Sequence, residues 1–278
     1  MRIGIIGLGL IGGSLGFDFR QLGHMVLGVA RRQTTCDSAI AVGAVDEACT
    51  TLDSLEAADV VFICTPIAMI ESTMIALAPH LRAGTIVTDV GSVKGSIVYS
   101  LTTHWPNFVG GHPMAGKTEV GIAAAEPKLF ASRAYVITPT QQTPTVAVET
   151  VTELARSLQA DVFVCSPENH DRAVSWISHL PVMVSGSLIQ ACLQESDPQV
   201  RQLAQRFASS GFRDTSRVGG GHPELGLMMA RYNRSEVLKS LAAYRQEIDH
   251  LAQLIQSEQW EAIAAKLAEN HDARPDFL

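Results

Sequence analysis

The opening residues constrain this chain more than any other part of it. Met1-Arg-Ile-Gly-Ile-Ile6 is a short apolar run of strand type, and it leads directly into Gly7-Leu8-Gly9-Leu10-Ile11-Gly12 and then an apolar, helix-like segment. Strand, G-x-G-x-x-G and helix in that order open a βαβ unit of a doubly wound sheet. Gly7 permits the tight turn, and Gly9 lets the backbone approach a pyrophosphate. Gly12 lets the helix pack close to the strand, so that its N-terminal amides point at the anion. The spacing therefore predicts a dinucleotide-binding domain, with Gly7, Leu8, Gly9, Leu10, Ile11 and Gly12 at the cofactor.

The second strand reads His24-Met-Val-Leu-Gly-Val-Ala30 and is followed by Arg31-Arg32. An acidic residue at that end would bind a ribose 2′-hydroxyl and favour NAD. Two guanidinium groups suit a 2′-phosphate instead, so the expected cofactor is NADP, with Arg31, Arg32 and the Thr35 hydroxyl as its readers. Thr65 and Pro66, directly after the strand-like run 59–64, complete the cofactor-side set.

A chain of 278 residues is comfortable for two domains. Its net charge of −7 and the lack of a basic run speak against nucleic acid or an anionic membrane as partner. No stretch reads as a signal peptide or an uninterrupted apolar span of transmembrane length. The five cysteines contain no C-x-x-C pair, which suits reduced thiols and a cytoplasmic setting. None of the nine histidines lies in an H-E-x-x-H pattern, and no metal site is expected.

Apolar runs at 2–6, 24–30, 59–64, 85–89, 134–138 and 160–165 alternate with helix-length segments, and their unbroken Val/Ile character suits a mostly parallel sheet buried on both faces. After about residue 166 strands give way to helical runs at 167–194, 197–209, 223–233, 235–256 and 258–270. The expected architecture is α/β: a Rossmann-like domain over 1–165 and an all-α domain over 166–278. A stripe from Val237 to Ile255 at spacings of three and four marks either internal core or a dimer face.

Several segments carry candidate chemistry. Val109-Gly-Gly-His112-Pro-Met-Ala-Gly116 reads as a loop after a strand, where doubly wound folds hold ligands. A histidine there can take a hydroxyl proton while the substrate carbon gives up hydride. In Asp89-Val-Gly-Ser92-Val-Lys94, taken in isolation, Ser92 reads as a helix cap and Lys94 as a solvated side chain. Ser178-His179-Leu-Pro181 lies within a helical run, where a lone histidine reads as core. Gly211-Phe-Arg-Asp214-Thr-Ser-Arg217 offers either a carboxylate clamp or a helix-end ion pair. Gly12-Gly-Ser14-Leu-Gly16 matches a hydrolase elbow but falls inside the helix that the glycine turn opens.

With these blocks in this order, the chain resembles the prephenate/arogenate dehydrogenase family over nearly its whole length, and Gly111-His-Pro-Met-Ala-Gly116 with Ser178-His-Leu-Pro181 is the specific part. The resemblance implies oxidative decarboxylation in tyrosine biosynthesis, in a site between a Rossmann-like domain and a helical dimerisation domain of a homodimer. It implies His112 as the base for the ring C4 hydroxyl and Ser92 as its orienting partner. Arg217 would bind the small-molecule substrate, Asp214 would belong to the surrounding ion network, and Ser178 and His179 would line the pocket. Many prephenate-using members carry His or Gln after Ser-His-Leu-Pro, and Asp-Pro with a nearby Trp beyond the Arg. This chain has Val182 and Gly219-Gly-Gly-His222-Pro-Glu-Leu-Gly226 there. The altered pocket end points to L-arogenate with NADP. Prephenate, alone or beside arogenate, is the alternative substrate. A β-hydroxyacid dehydrogenase, an imine reductase or a non-catalytic dinucleotide sensor stand further off.

Overall fold

The computed structural model describes residues 1–117 and 119–277. Its first half runs β1 (Arg2–Ile6), α1 (Leu10–Gln21), β2 (Met25–Val29), α2 (Gln33–Ala41), β3 (Glu47–Cys49), β4 (Val60–Ile63), α3 (Ile67–Leu77), β5 (Ile86–Asp89), α4 (Gly95–His104), β6 (Phe108–Pro113), β7 (Ala134–Thr138), α5 (Thr145–Ser157) and β8 (Asp161–Val164). The strands form one sheet in the order β3-β2-β1-β4-β5-β6-β7-β8, with only the β6–β7 pair antiparallel. Alternate residues of each strand go to opposite faces, and both faces are covered. Ile3, Ile5 and Phe62 pack with Leu15 and Phe19 of α1 and Val151 and Leu154 of α5. Ile6, Val61 and Ile63 pack with Ile70 and Met74 of α3 and Val98 and Leu101 of α4. Burial on both sides is why these strands read as continuous apolar runs.

Two strands escape the sequence pattern. The three residues of β3 are too few for a periodic signal. In β6 two glycines, a histidine and a proline mimic a loop, so His112 lies within a strand and not in the loop expected for it. The glycines are there because neighbours press on both sides. A Cβ on Gly110 would lie 2.3 Å from Thr138 Oγ1 and 2.5 Å from Val98 Cγ2, and one on Gly111 would lie 2.8 Å from the Asp89 carbonyl oxygen.

The second half is helical: α6 (Pro167–Val174), a π turn (Ser175–His179), α7 (Leu180–Leu193), α8 (Pro198–Phe207), α9 (Ser210–Ser216), α10 (Pro223–Tyr232), α11 (Arg234–Gln256) and α12 (Trp260–Ala273). The single run expected over 167–194 is thus one helix interrupted by a π turn, a deformation common at functional positions. By length and composition Pro167–Leu193 is also long and apolar enough to cross a membrane, against the expectation that no segment approaches this. Most of that segment is at least partly exposed in the single chain, although its buried His170, Asp171 and His179 bond to other parts of the protein.

Candidate active site

The glycine turn has the geometry its spacing predicts. Gly7 has φ +100°, and a Cβ there would sit 2.6 Å from the Cys64 carbonyl oxygen. A Cβ on Gly12 would lie 2.1 Å from the Gly7 carbonyl oxygen, whereas at Gly9 nothing lies within 4 Å. The first and third positions are closed to any side chain and the second is open space for a ligand. Gly9 caps α1, and no acidic residue lies in the first turn to oppose an anion. Thr65 Oγ1, just past β4, is buried without a hydrogen-bond partner among the described residues. These features fit a bound dinucleotide. Arg31 and Arg32 follow β2, both exposed, with Thr35 half-buried in the first turn of α2. Pro66 caps α3 at the same edge. Ser14 is buried in α1 and its Oγ accepts the Glu126 N–H at 3.0 Å, so the hydrolase-like motif is a packing contact.

His112 sits where β6 outruns β5. The ladder between them ends at Thr88 and Val109, and His112 then pairs with Val136 of β7. Beyond that point Gly111 has no strand on its β5 side, and two side chains take over the ladder. The Gly111 N–H donates to Asp89 Oδ1 at 3.2 Å, and its carbonyl accepts from Lys94 Nζ at 2.7 Å. Lys94 Nζ also pairs with Asp89 Oδ2, and neither side chain is exposed. Lys94 is therefore an interior cation that clamps the backbone beside His112, a correction to its reading as a solvated side chain. Ser92, half-buried in the same turn, makes no cap for α4.

A second network reaches His112 from the helical half. Asp171 of α6 accepts the Lys94 N–H at 2.7 Å through Oδ1 and the Gly95 N–H at 2.8 Å through Oδ2. A carboxylate from one half of the molecule thus caps a helix of the other. Asp171 Oδ1 also lies 2.8 Å from His170 Nδ1, and His170 Nε2 lies 2.8 Å from His112 Nδ1. Asn233, between α10 and α11, donates through Nδ2 to the Asp171 carbonyl at 2.8 Å and lies 3.1 Å from His179 Nδ1. His179 is fully buried and its Nε2 has no partner among the described residues. Its neighbour Ser178 is half-buried.

Burial pushes the His112 pKa well below the ordinary value, and the neighbouring Lys94 cation adds to the lowering. The ring is therefore neutral and able to accept a proton. Burial lowers His179 from 6.5 to about 4, against the opposing pull of Asp171. A folded-state pKa depressed this way means the unfolded chain binds the extra proton first as pH falls. The stabilisation is then complete above pH 6.5 and is lost on acidification toward about 4, amounting to roughly 3 kcal/mol. Calorimetry across that window is expected to show Tm falling with pH, with a shallower fall in His179→Gln. Identical slopes for the two proteins would refute the assignment.

Arg217 follows α9 and is exposed, and Asp214 takes Arg213 Nε at 3.1 Å on the surface. Among the described residues, neither bonds to the histidine network within one protomer. His170, Asp171 and Asn233 are absent from the sequence reading. The signal for the first two was a polar stripe inside an apolar helix: positions 170, 171, 175 and 179 share one buried face at helical spacing.

A dinucleotide cradle at the C-terminal end of the central strand β1 and a neutral, clamped histidine on the same sheet define the class, a dinucleotide-dependent dehydrogenase with a helical second domain. The family model for the prephenate dehydrogenase nucleotide-binding domain matches residues 15–164, and that for the prephenate dehydrogenase dimerization domain matches 166–269. The chain belongs to the prephenate dehydrogenase family. It is 32% identical to prephenate dehydrogenase of Bacillus subtilis (strain 168), over 91% of this chain and 70% of that one. The structure of Synechocystis arogenate dehydrogenase is 48% identical with TM-score 0.92, covering all of both chains. Prephenate dehydrogenase from A. aeolicus, solved with hydroxyphenyl propionate and NAD+, is 28% identical with TM-score 0.94, over 100% of this chain and 98% of that one.

Proposed function

We propose that this protein is an NADP-dependent arogenate dehydrogenase, converting L-arogenate to L-tyrosine by oxidative decarboxylation. One observation carries the chemistry: His112 is held in a buried strand and kept neutral by its surroundings, so it can accept the proton of the C4 hydroxyl. A nicotinamide dinucleotide held by the Gly7–Gly12 turn would supply the hydride acceptor for C4. With the hydroxyl proton on His112, the C4 oxygen becomes a carbonyl conjugated to the carbon that bears the carboxylate. Carbon dioxide then leaves with its bonding pair returned to the ring, and aromatisation drives the step. The chain's own residues thus supply orientation, one base and anion recognition. In this reading Ser92 orients His112, Ser178 and His179 line the pocket, and Arg217 with Asp214 binds the substrate carboxylate.

The substrate reading draws support from the 48% identity to the Synechocystis arogenate enzyme and from the pocket end. Val182 of α7 and Gly226 of α10 lie side by side in a groove of about 620 Å³ that Met183, Gly186 and His222 also line and that His112, His179 and Arg217 do not. Val182 and Gly226 stand where many prephenate users carry a polar ligand and an aromatic wall, which supports the arogenate reading. Against it stand the relatives named as prephenate dehydrogenases. The NADP reading rests on Arg31 and Arg32, neither of which pairs with a carboxylate among the described residues. A homodimer is proposed because the helical half exposes Phe207, Leu227, Ile248, Trp260 and Phe277, more apolar surface than a solitary domain usually leaves in water. A cytoplasmic setting accords with five free cysteines.

Initial rates with arogenate or prephenate, each with NADP⁺ or NAD⁺, test the reading. Turnover concentrated in the arogenate–NADP⁺ pair is expected, and equal turnover of prephenate would discard the substrate assignment. In Arg31→Ala/Arg32→Ala the KM for NADP⁺ should rise by about 10²-fold, the loss of charge-assisted bonds to a phosphate, while that for NAD⁺ stays put. Parallel rises for both cofactors would overturn the NADP reading.

A further inference from the structure

We propose that a neutral His170 and Asn233, both anchored on Asp171, are positioning residues that hold the two active-site histidines in opposite tautomers: His112 with a bare Nε2 and His179 with a protonated one. The proposal rests on the reading of His112 as the base. Its argument is one of donors and acceptors alone.

A carboxylate only accepts. Asp171 Oδ1 already takes the Lys94 N–H, so the His170 Nδ1 at 2.8 Å from it must carry hydrogen. In a neutral His170 the other nitrogen, Nε2, is then an acceptor. The contact at 2.8 Å to His112 Nδ1 requires His112 to donate there, which leaves the lone pair on His112 Nε2. That nitrogen is the one free to take a proton. Were the tautomer reversed, both facing nitrogens would be acceptors and the pair would repel.

The same residue sets the second ring through its backbone. Asn233 Nδ2 lies 2.8 Å from the Asp171 carbonyl, itself only an acceptor, which identifies that atom as the amide nitrogen and not the oxygen. The second hydrogen of that nitrogen faces His179 Nδ1 at 3.1 Å, so Nδ1 accepts and Nε2 carries the hydrogen. This Nε2 is buried and unpartnered among the described residues, a desolvated donor waiting for an acceptor. A ligand oxygen that accepts from His179 while its neighbouring hydroxyl donates to His112 satisfies both. One residue thereby gives the site an acceptor and a donor that do not interchange, and it does so across the boundary between the two halves of the molecule.

Long-range ¹H–¹⁵N correlation spectra of ligand-free, histidine-labelled full chain read each ring nitrogen directly. The expected result is His112 protonated on Nδ1 only and His179 on Nε2 only. Either ring in the other tautomer overturns the proposal, whatever the enzyme turns over. In His170→Leu the His112 signals should show loss of the single tautomer and kcat should fall at least about tenfold, with the KM for NADP⁺ unchanged. In Asn233→Leu the His179 signals should shift to a mixture and the KM for substrate should rise by about tenfold. Variants that fold but keep wild-type ring signals also overturn it. The expected spectra in a protein inactive toward every substrate pair would sink the proposed function and leave the tautomers standing.

Discussion

His112→Asn is expected to lower kcat by about 10³-fold, with little change in substrate KM and with Tm close to that of the parent. Asparagine has a similar size and retains polar atoms, so β6 can keep its pairing of residue 112 with Val136 and its neighbour's bonds to Asp89 and Lys94. What asparagine lacks is a nitrogen that accepts a proton near neutral pH. A positioned general base contributes about 10²–10⁴ to rate, and the proposed loss of the base itself places the expected effect in mid-range. The pH dependence follows from the same environment. Burial and nearby positive charge hold His112 neutral well below the usual range, so the acid limb of kcat/KM should lie below that of an ordinary histidine. Activity falls only as pH drops through this lowered value. In His112→Asn the residual rate should lose that limb. A variant with near-parental kcat, or one that keeps the same acid limb, would remove His112 from the mechanism.

The second large effect is on stability. Asp89→Ala should cost about 3–5 kcal/mol, because it strands the Lys94 ammonium in the interior without water and with only the weaker charge of Asp171 nearby. Lys94 and Asp89 are both fully buried. Burial already pushes the Lys94 pKa down, and the charge of Asp89 is the largest influence pushing it back up. Asp89 also accepts the Gly91 N–H at 2.8 Å and the Gly111 N–H, so its loss leaves two backbone donors unpaired and frees β6 beside His112. Denaturant midpoints should show the loss, and activity should decline with it. Asp89→Leu combined with Lys94→Met removes both charges and should recover part of the deficit, since an apolar pair of similar volume is often no worse than a buried ion pair. If Asp89→Ala costs under about 1 kcal/mol, the pair is not the clamp described here.

The nucleotide-binding half was legible in the chain because its rules are local. Glycines at positions 7, 9 and 12 each answer a steric demand of one turn, and strands buried on both faces announce themselves as unbroken Val/Ile runs. His112 was legible as chemistry but not as structure. The glycines and proline of β6 look like a loop until Thr138, Val98 and Asp89 are seen pressing on them. Lys94 was misread for a related reason: a lysine beside a turn is normally solvated, and only the fold encloses it with a carboxylate five residues away.

The sequence by itself therefore determined the cofactor cradle, the α/β class with its helical second half, the family, and the histidine proposed as the base. These are set by residues close together in the chain, where spacing is geometry. Tertiary structure alone decided that the helical half reaches into the nucleotide domain through Asp171, that His170 stands behind His112, and that Asn233 holds His179. Those partners are separated by between 54 and 76 residues, and each contact is a hydrogen bond that no periodicity encodes. Which nitrogen of a histidine carries its proton depends on the group across from it, and only the folded chain brings that group within 3 Å or so.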